Sequence, residues 1–283
     1  MCLILVAWLS HPQFPLVVAA NRDEFYARPS ALAGPWPEDP RVLGGLDLEA
    51  GGTWLGVRED GRFAAVTNVR EPGVPKNQPV SRIHKVDTEK NQPVSRIHKV
   101  DTEKNQPVSR IHRVDTERGA RSRGLLTKDF LLGRQSPGEC AAAIDGGRYS
   151  GFNLLLADGQ ALWYCSNRDG GARRLAPGVY GLSNHLLDTP WPKLVTAKAR
   201  FAAALDGLPA FDPVFSILAD PEIVPDHDLP KSGVPLAWER LLSAIFVQSE
   251  DYGTRASTVL TRDRQGAIRL EERRFGPGGA PMA

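Results

Sequence analysis

Short apolar runs separated by turn-forming residues predict hairpins along most of this chain, with helical spacing confined to a few segments. Residues 2–9 (CLILVAWL) form an unbroken apolar run, the pattern of a strand covered on both faces. SHPQFP (10–15) supplies a turn and LVVAAN (16–21) a second apolar strand, so these segments predict a β-hairpin. TWLGVRE (53–59) and RFAAVTN (62–68) flank Asp60-Gly61 and predict another. FNLLLAD (152–158) and ALWYCSN (161–167) surround a turn at Gly159, GVYGLSN (178–184) follows as a strand, and ASTVLTRD (256–263) pairs with AIRLEERRF (267–275) around Gln265-Gly266. Helical spacing marks SRGLLTKDFLLG (122–133), SPGECAAAID (136–145) with Pro137 and Glu139 in its first turn, PWPKLVTAKARFAAAL (190–205) and PLAWERLLSAIF (235–246). The Pro/Gly-rich stretch 29–52 reads as a connection. Hairpins with helices grouped between them predict an α+β fold of antiparallel sheets with helices packed outside, not a parallel βαβ array.

One segment does not fit that pattern. Residues 76–117 repeat KNQPVSRIHKVDTE three times, with Arg113 in the third copy where the others have Lys. Each unit carries three apolar residues and a proline, too little to build a stacking core, so an exposed inserted loop is expected rather than a solenoid or an array built on His84, His98 and His112. Each unit also adds one net positive charge, which more than accounts for the +2 of the whole chain. The basicity belongs to the insert, and nucleic acid is not expected as a partner. What remains has the length of one ordinary domain.

Other classes are excluded by what is missing from the pattern. There is no G-x-G-x-x-G or G-x-x-x-x-G-K-[ST], which removes dinucleotide and P-loop readings. Cys2, Cys140 and Cys165 are widely spaced and lack a C-x-x-C pair, so no disulfide framework, zinc site or other metal is expected, and a reducing, cytoplasmic compartment fits best. No apolar run approaches the roughly 18–20 residues of a membrane span. The apolar start is read as a strand and not as a signal peptide, because no Lys or Arg precedes Arg22 and Ser10-His11-Pro12 breaks the run. Cys140, in an Ala-rich helix, and Cys165, in an apolar strand, read as core packing, as do Trp191 and Trp238.

Cys2 has two readings. It is either a small apolar residue opening a buried strand or, once Met1 is trimmed, a thiol and a free α-amine on one residue. If the first two strands pair, Cys2 lies across the ladder from ANRDEF, which sets Asn21, Arg22, Asp23 and Glu24 at a strand end. An arginine beside a thiol favours the thiolate, and Asp23 is placed to orient that arginine or the terminal ammonium.

MC at the start, ANRDEF, GGTWLGV, TNVREP, SRG, YGLSN with PWPK, and YGTRASTVL, in this order, resemble the NRDE family, also called the transport and Golgi organisation 2 family. That family in turn resembles the N-terminal nucleophile (Ntn) hydrolases, especially the cysteine branch with bile-salt hydrolases and penicillin V acylases. The resemblance implies one Ntn-hydrolase-like domain over 1–283, a four-layer αββα sandwich with two antiparallel sheets, interrupted by the repeat. It matches Cys2 to the nucleophile exposed by loss of the initiator methionine. Arg22 and Asp23 resemble the branch's Arg and Asp at the end of the second strand, though their order and spacing differ, so Asp23 and Glu24 both stand as the acid. Asn68 and Asn184 resemble asparagines that stabilise an oxyanion or orient the amine, and Arg255 the late arginine facing the nucleophile. Asn21, Glu24 and His185 are candidates for substrate contact. The implied activity is hydrolysis of a non-peptide carbon–nitrogen bond, an ester or a thioester, with a small-molecule or lipid-like ligand and no cofactor. The alternative is a lipid- or haem-handling trafficking protein that uses the same pocket without turnover.

Overall fold

A computed structural model describes residues 2–70 and 121–282; the tandem repeat lies outside the described residues. In chain order the strands are β1 (Cys2–Trp8), β2 (Leu16–Phe25), β3 (Ser30–Pro35), β4 (Val42–Asp47), β5 (Leu55–Arg58), β6 (Phe63–Asn68), β7 (Phe152–Ala157), β8 (Leu162–Ser166), β9 (Gly171–Leu175), β10 (Gly178–Leu182), β11 (Tyr252–Arg262), β12 (Ile268–Phe275) and β13 (Pro281–Met282). The α-helices are α1 (Gly124–Leu132), α2 (Pro137–Ala143), α3 (Pro192–Ala204), α4 (Asp212–Leu218) and α5 (Leu236–Ser243). The strands form a six-stranded sheet of order β10-β1-β2-β11-β12-β13 and a seven-stranded sheet of order β3-β4-β5-β6-β7-β8-β9. Every pairing is antiparallel.

Strand periodicity divides the apolar residues among three cores. Ile4, Val6 and Trp8 of β1 and Leu16, Val18 and Ala20 of β2 meet Leu55, Val57, Phe63, Ala65 and Leu155 of the second sheet. The alternate positions Leu3, Leu5, Ala7, Val17 and Ala19 pack under Leu194, Ala197 and Phe201 of α3 and Val214 and Phe215 of α4. On the far side, Ala64, Val66, Leu154 and Leu156 pack against Leu126 and Phe130 of α1 and Ala141 of α2. The result is the expected four-layer sandwich: helices, sheet, sheet, helices. A strand covered on both sides has no polar face, so β1 reads as an unbroken apolar run and β7 as one interrupted only by Asn153.

Several elements differ from the sequence reading. β2 runs on to Phe25 because β11, which starts at Tyr252 and not at 256, pairs with it from Phe25–Tyr252 to Leu16–Arg262. The connection expected over 29–52 contains β3 and β4. Its glycines mark close packing: a Cβ on Gly44 would lie 2.7 Å from the Leu55 carbonyl oxygen, and one on Gly45 2.2 Å from the Trp54 ring. α4 was too short to announce itself, and α5 ends at Ser243, leaving 244–247 as irregular chain. α2 keeps its predicted start, with Ser136 and Glu139 forming a reciprocal capping box and Pro137 in the first turn. Gly159 and Gly266 take φ of +86° and +93° at their predicted turns, where a side chain would be strained.

Candidate active site

Cys2 and Arg22 are direct partners across the β1–β2 ladder and so share one face, the face that looks toward the second sheet. The Arg22 guanidinium is buried, lies 4.2 Å from the centroid of the Trp54 ring and reaches Glu24 at 4.0 Å. Because β2 continues past Asn21, the polar cluster is not gathered at a strand end but divided between two faces. Arg22 and Glu24 stay with Cys2, whereas Asn21 and Asp23 turn toward the helices.

On the helix side the buried Asn21 amide donates to the Leu218 carbonyl at 2.8 Å and the Ile245 carbonyl at 2.9 Å, and accepts the Ser257 hydroxyl at 2.6 Å. These bonds tie α4 and the chain after α5 to the sheet. Asp23 is also buried; its Oδ1 accepts the Thr254 hydroxyl at 2.7 Å and its carbonyl the Tyr252 hydroxyl at 3.1 Å. Burial raises the Asp23 carboxyl, against the opposing pull of the Lys193 ammonium and the Thr254 hydroxyl. Burial likewise pushes the partly exposed Cys2 thiol up; Asp23 adds to the rise and Arg22 works against it. Arg22 thus favours the thiolate, as its proximity predicts, but burial outweighs it.

Lys193 is a buried cation that the sequence reading passed over. Its ammonium donates to the Leu242 carbonyl at 2.7 Å and the Ala244 carbonyl at 3.5 Å, at the C-terminal end of α5, and burial pulls it down to about 8. The signal was present in PWPK: a lysine in the first turn of α3 opposes that helix's dipole, so its charge has to be satisfied elsewhere.

Asn184 follows β10, whose last partner pair with β1 is Ile4–Leu182, two residues short of both Cys2 and Asn184. The Ser183 hydroxyl donates to the Cys2 carbonyl at 3.3 Å. Asn184 is buried; Nδ2 donates to the Asn68 carbonyl at 3.0 Å, which fixes the amide orientation, and Oδ1 has no partner among the described residues. The unused group is thus an acceptor. Asn68 is exposed and meets Asn184 through its main-chain carbonyl. The exposed His185 ring bonds Thr189 at 2.9 Å and tilts against Trp191. Arg255 sits in a bulge between Thr254 and Ala256 and donates to the carbonyls of Phe25 and Arg28. Burial and the nearby Arg22 lower it. Arg28 is held by Asp47 at 2.7 Å and Glu24 at 3.9 Å, so Arg255 and Glu24 share one rim. The structure thus gathers Cys2, Arg22 and Glu24 at one sheet end, with Asn184 next to the Ser183 that bonds Cys2 and with Asp23 on the other face of β2.

Residues 1–87 and 105–277 match the model of the family described as Transport and Golgi organisation 2. The chain belongs to this family. Among Transport and Golgi organisation 2 relatives, a homolog from Bos taurus is 33% identical over 299 residues, covering 96% of this chain and 92% of its own. The Homo sapiens homolog is 31% identical over 297 residues with the same coverage. The unmatched residues 88–104 fall inside the tandem repeat. Among solved structures, similarity extends to a Caenorhabditis elegans ortholog of N-acylethanolamine-hydrolyzing acid amidase (12% identity, TM-score 0.43, 92% of each chain). It extends also to a mutant conjugated bile acid hydrolase from Clostridium perfringens (10% identity, TM-score 0.41, 99% of this chain and 98% of that one). In this family member no three His, Cys, Asp or Glu side chains gather as metal ligands among the described residues. No helix among them is long and apolar enough to cross a membrane.

Proposed function

We propose that this Transport and Golgi organisation 2 family member is an N-terminal-cysteine hydrolase of a non-peptide carbon–nitrogen bond, or of an ester or thioester, in a small or lipid-like molecule. The observation that carries this reading is the pairing of Cys2 with the buried Arg22 on one face, beside the segment in which the Ser183 hydroxyl bonds the Cys2 carbonyl and the next residue, Asn184, has an Oδ1 without a partner among the described residues. Removal of Met1 frees an α-amine at Cys2. Such an amine titrates near about 7.7–8.0 and so accepts the thiol proton at neutral pH without a histidine. This meets the requirement set by the raised thiol.

In the first half-reaction Cys2 Sγ attacks the substrate carbonyl carbon while its proton passes to the α-amine. The carbonyl electron pair moves to oxygen, and the Arg22 guanidinium held on Trp54 supplies charge against it. Collapse breaks the carbon–nitrogen bond; the α-ammonium returns its proton to the leaving amine, and an acyl-cysteine remains. Water then attacks, its proton goes to the α-amine and back to sulfur, and the acid leaves. Asn184 Oδ1 accepts a hydrogen bond from the amine throughout and so holds it against the thiol.

A thiol-directed acyl probe on the Met-trimmed protein, followed by peptide mapping, tests the proposal. The acyl group is expected on Cys2. Labelling that survives in Cys2→Ala and moves to Cys140 or Cys165 would overturn the assignment of Cys2 and leave the non-catalytic binding reading in its place.

A further inference from the structure

The chain at 183–185 is held in an unusual way. Beyond β10 it bends without continuing the ladder, and three consecutive carbonyls are each taken by a donor from the second sheet or the chain that leaves its strand β6. Thr67 Oγ1 donates to the Ser183 carbonyl at 2.8 Å, the Arg70 amide to the Asn184 carbonyl at 2.7 Å, and Asn153 Nδ2 to the His185 carbonyl at 2.8 Å.

Thr67 and Asn153 are register partners on β6 and β7, both buried, and Asn153 Nδ2 also donates to Thr67 Oγ1 at 3.1 Å. Asn153 Oδ1 accepts the Tyr164 hydroxyl at 2.7 Å, and that hydroxyl accepts the Leu187 amide at 3.3 Å. Each of these polar groups is therefore used, and their bond directions are mutually determined. A buried amide in the otherwise apolar β7 costs stability unless it is satisfied in this way. Among the described residues, Asn184 Oδ1 is a buried acceptor left without a partner here. Thr67 and Asn153 hold the carbonyls on either side of Asn184 and so fix the backbone from which its side chain projects, while the Asn68 carbonyl fixes which way its amide faces.

We infer that Asn153 and Thr67 are positioning residues which, across the two sheets, aim Asn184 Oδ1 at the α-amine of Cys2. The inference rests on the hydrolase reading above. Neither residue touches substrate; each acts through the 183–185 backbone. Loosening the backbone weakens the hydrogen bond to the ammonium, and the amine becomes easier to deprotonate.

The test follows Cys2 acylation by the same probe against pH in wild type, Thr67→Val, Thr67→Ser, Asn153→Leu and Asn184→Ala, with melting temperatures measured alongside. Thr67→Val keeps shape and removes the donor. Its acylation rate is expected to fall about 10- to 100-fold and the midpoint of its pH profile to move toward acid, in the same sense as Asn184→Ala. Thr67→Ser, which keeps the hydroxyl, restores both, and folded Asn153→Leu follows Thr67→Val. A merely structural role lowers the melting temperature and leaves the pH midpoint in place. A folded Thr67→Val with the wild-type profile overturns the inference alone, whereas a wild type that never acylates Cys2 overturns the hydrolase reading with it.

Discussion

The Thr254 hydroxyl donates to Asp23 Oδ1 at 2.7 Å, and Thr254 Oγ1 in turn accepts the Val247 amide at 2.9 Å. One side chain thus fastens the irregular chain after α5 to the carboxylate behind Cys2. Thr254→Val keeps the shape and leaves the buried Val247 amide without this acceptor. The expected loss is about 1–3 kcal/mol in chemical denaturation, with most of it recovered in Thr254→Ser. Asp23 loses a donor that holds its pKa down, so its carboxyl rises further. Equal stability of the valine variant would show that this junction is not under load.

Cys2 opens β1 and is only partly buried, so Cys2→Ala is expected to melt close to wild type while acyl labelling disappears. Burial raises Cys140, and it pushes Cys165 up to about 11, and neither thiol has a terminal amine to serve as base. An extra residue left ahead of Cys2 removes the same amine and is expected to abolish labelling with the thiol still present. Intact mass of the active protein checks the processing step, since retention of Met1 in active material excludes the terminal-amine mechanism.

Lys193 gives a pH signature of its own. Burial holds its pKa at about 8, below its ordinary 10.5. Between these values the unfolded chain binds a proton that the folded chain has released. The lysine's contribution to stability therefore rises with pH across that window, by up to about 1.4 kcal/mol per pH unit, and below it the cost of the buried charge is constant. Lys193→Met removes this slope. Urea midpoints of the two proteins compared from about pH 7 to about pH 10 are expected to converge or cross in favour of wild type as pH rises. A difference that stays constant over that range refutes the assignment.

The sequence makes Asn21 a candidate for substrate contact, and its three buried hydrogen bonds give a different expectation for its substitution. Asn21→Leu leaves two carbonyls and the Ser257 hydroxyl unsatisfied, each such group costing about 1–3 kcal/mol. The melting temperature is expected to fall sharply, while any folded fraction acylates at Cys2 with an unchanged probe concentration dependence. A selective weakening of probe binding in a protein of wild-type stability would restore the substrate-contact reading.

Trp54 is the platform for Arg22, and it lies where a Cβ on Gly45 would stand. Gly45→Ala is expected to displace the indole and slow Cys2 acylation, although residue 45 is on a different strand from either partner. An unaltered rate would show that Arg22 keeps its place without the ring.

What sequence alone determined were the features set by local chemistry: apolar runs that make central strands, the Ser136 and Glu139 cap, glycines at left-handed turns, and ordered motifs that mark the family. It also brought Cys2 and Arg22 together, because the short turn at 10–15 leaves the two apolar runs little choice of register. The division of ANRDEF between two faces was decided only when β11, more than two hundred residues away, extended β2 beyond Asn21. The burial of Lys193, the main-chain carbonyl contact of Asn68, and the support of 183–185 by Thr67 and Asn153 likewise come from the packing of one sheet or helix on another. Local sequence sets which groups need a hydrogen-bond partner. Which partner each one finds depends on surfaces that meet only after both sheets have formed, and so cannot be written in any one segment.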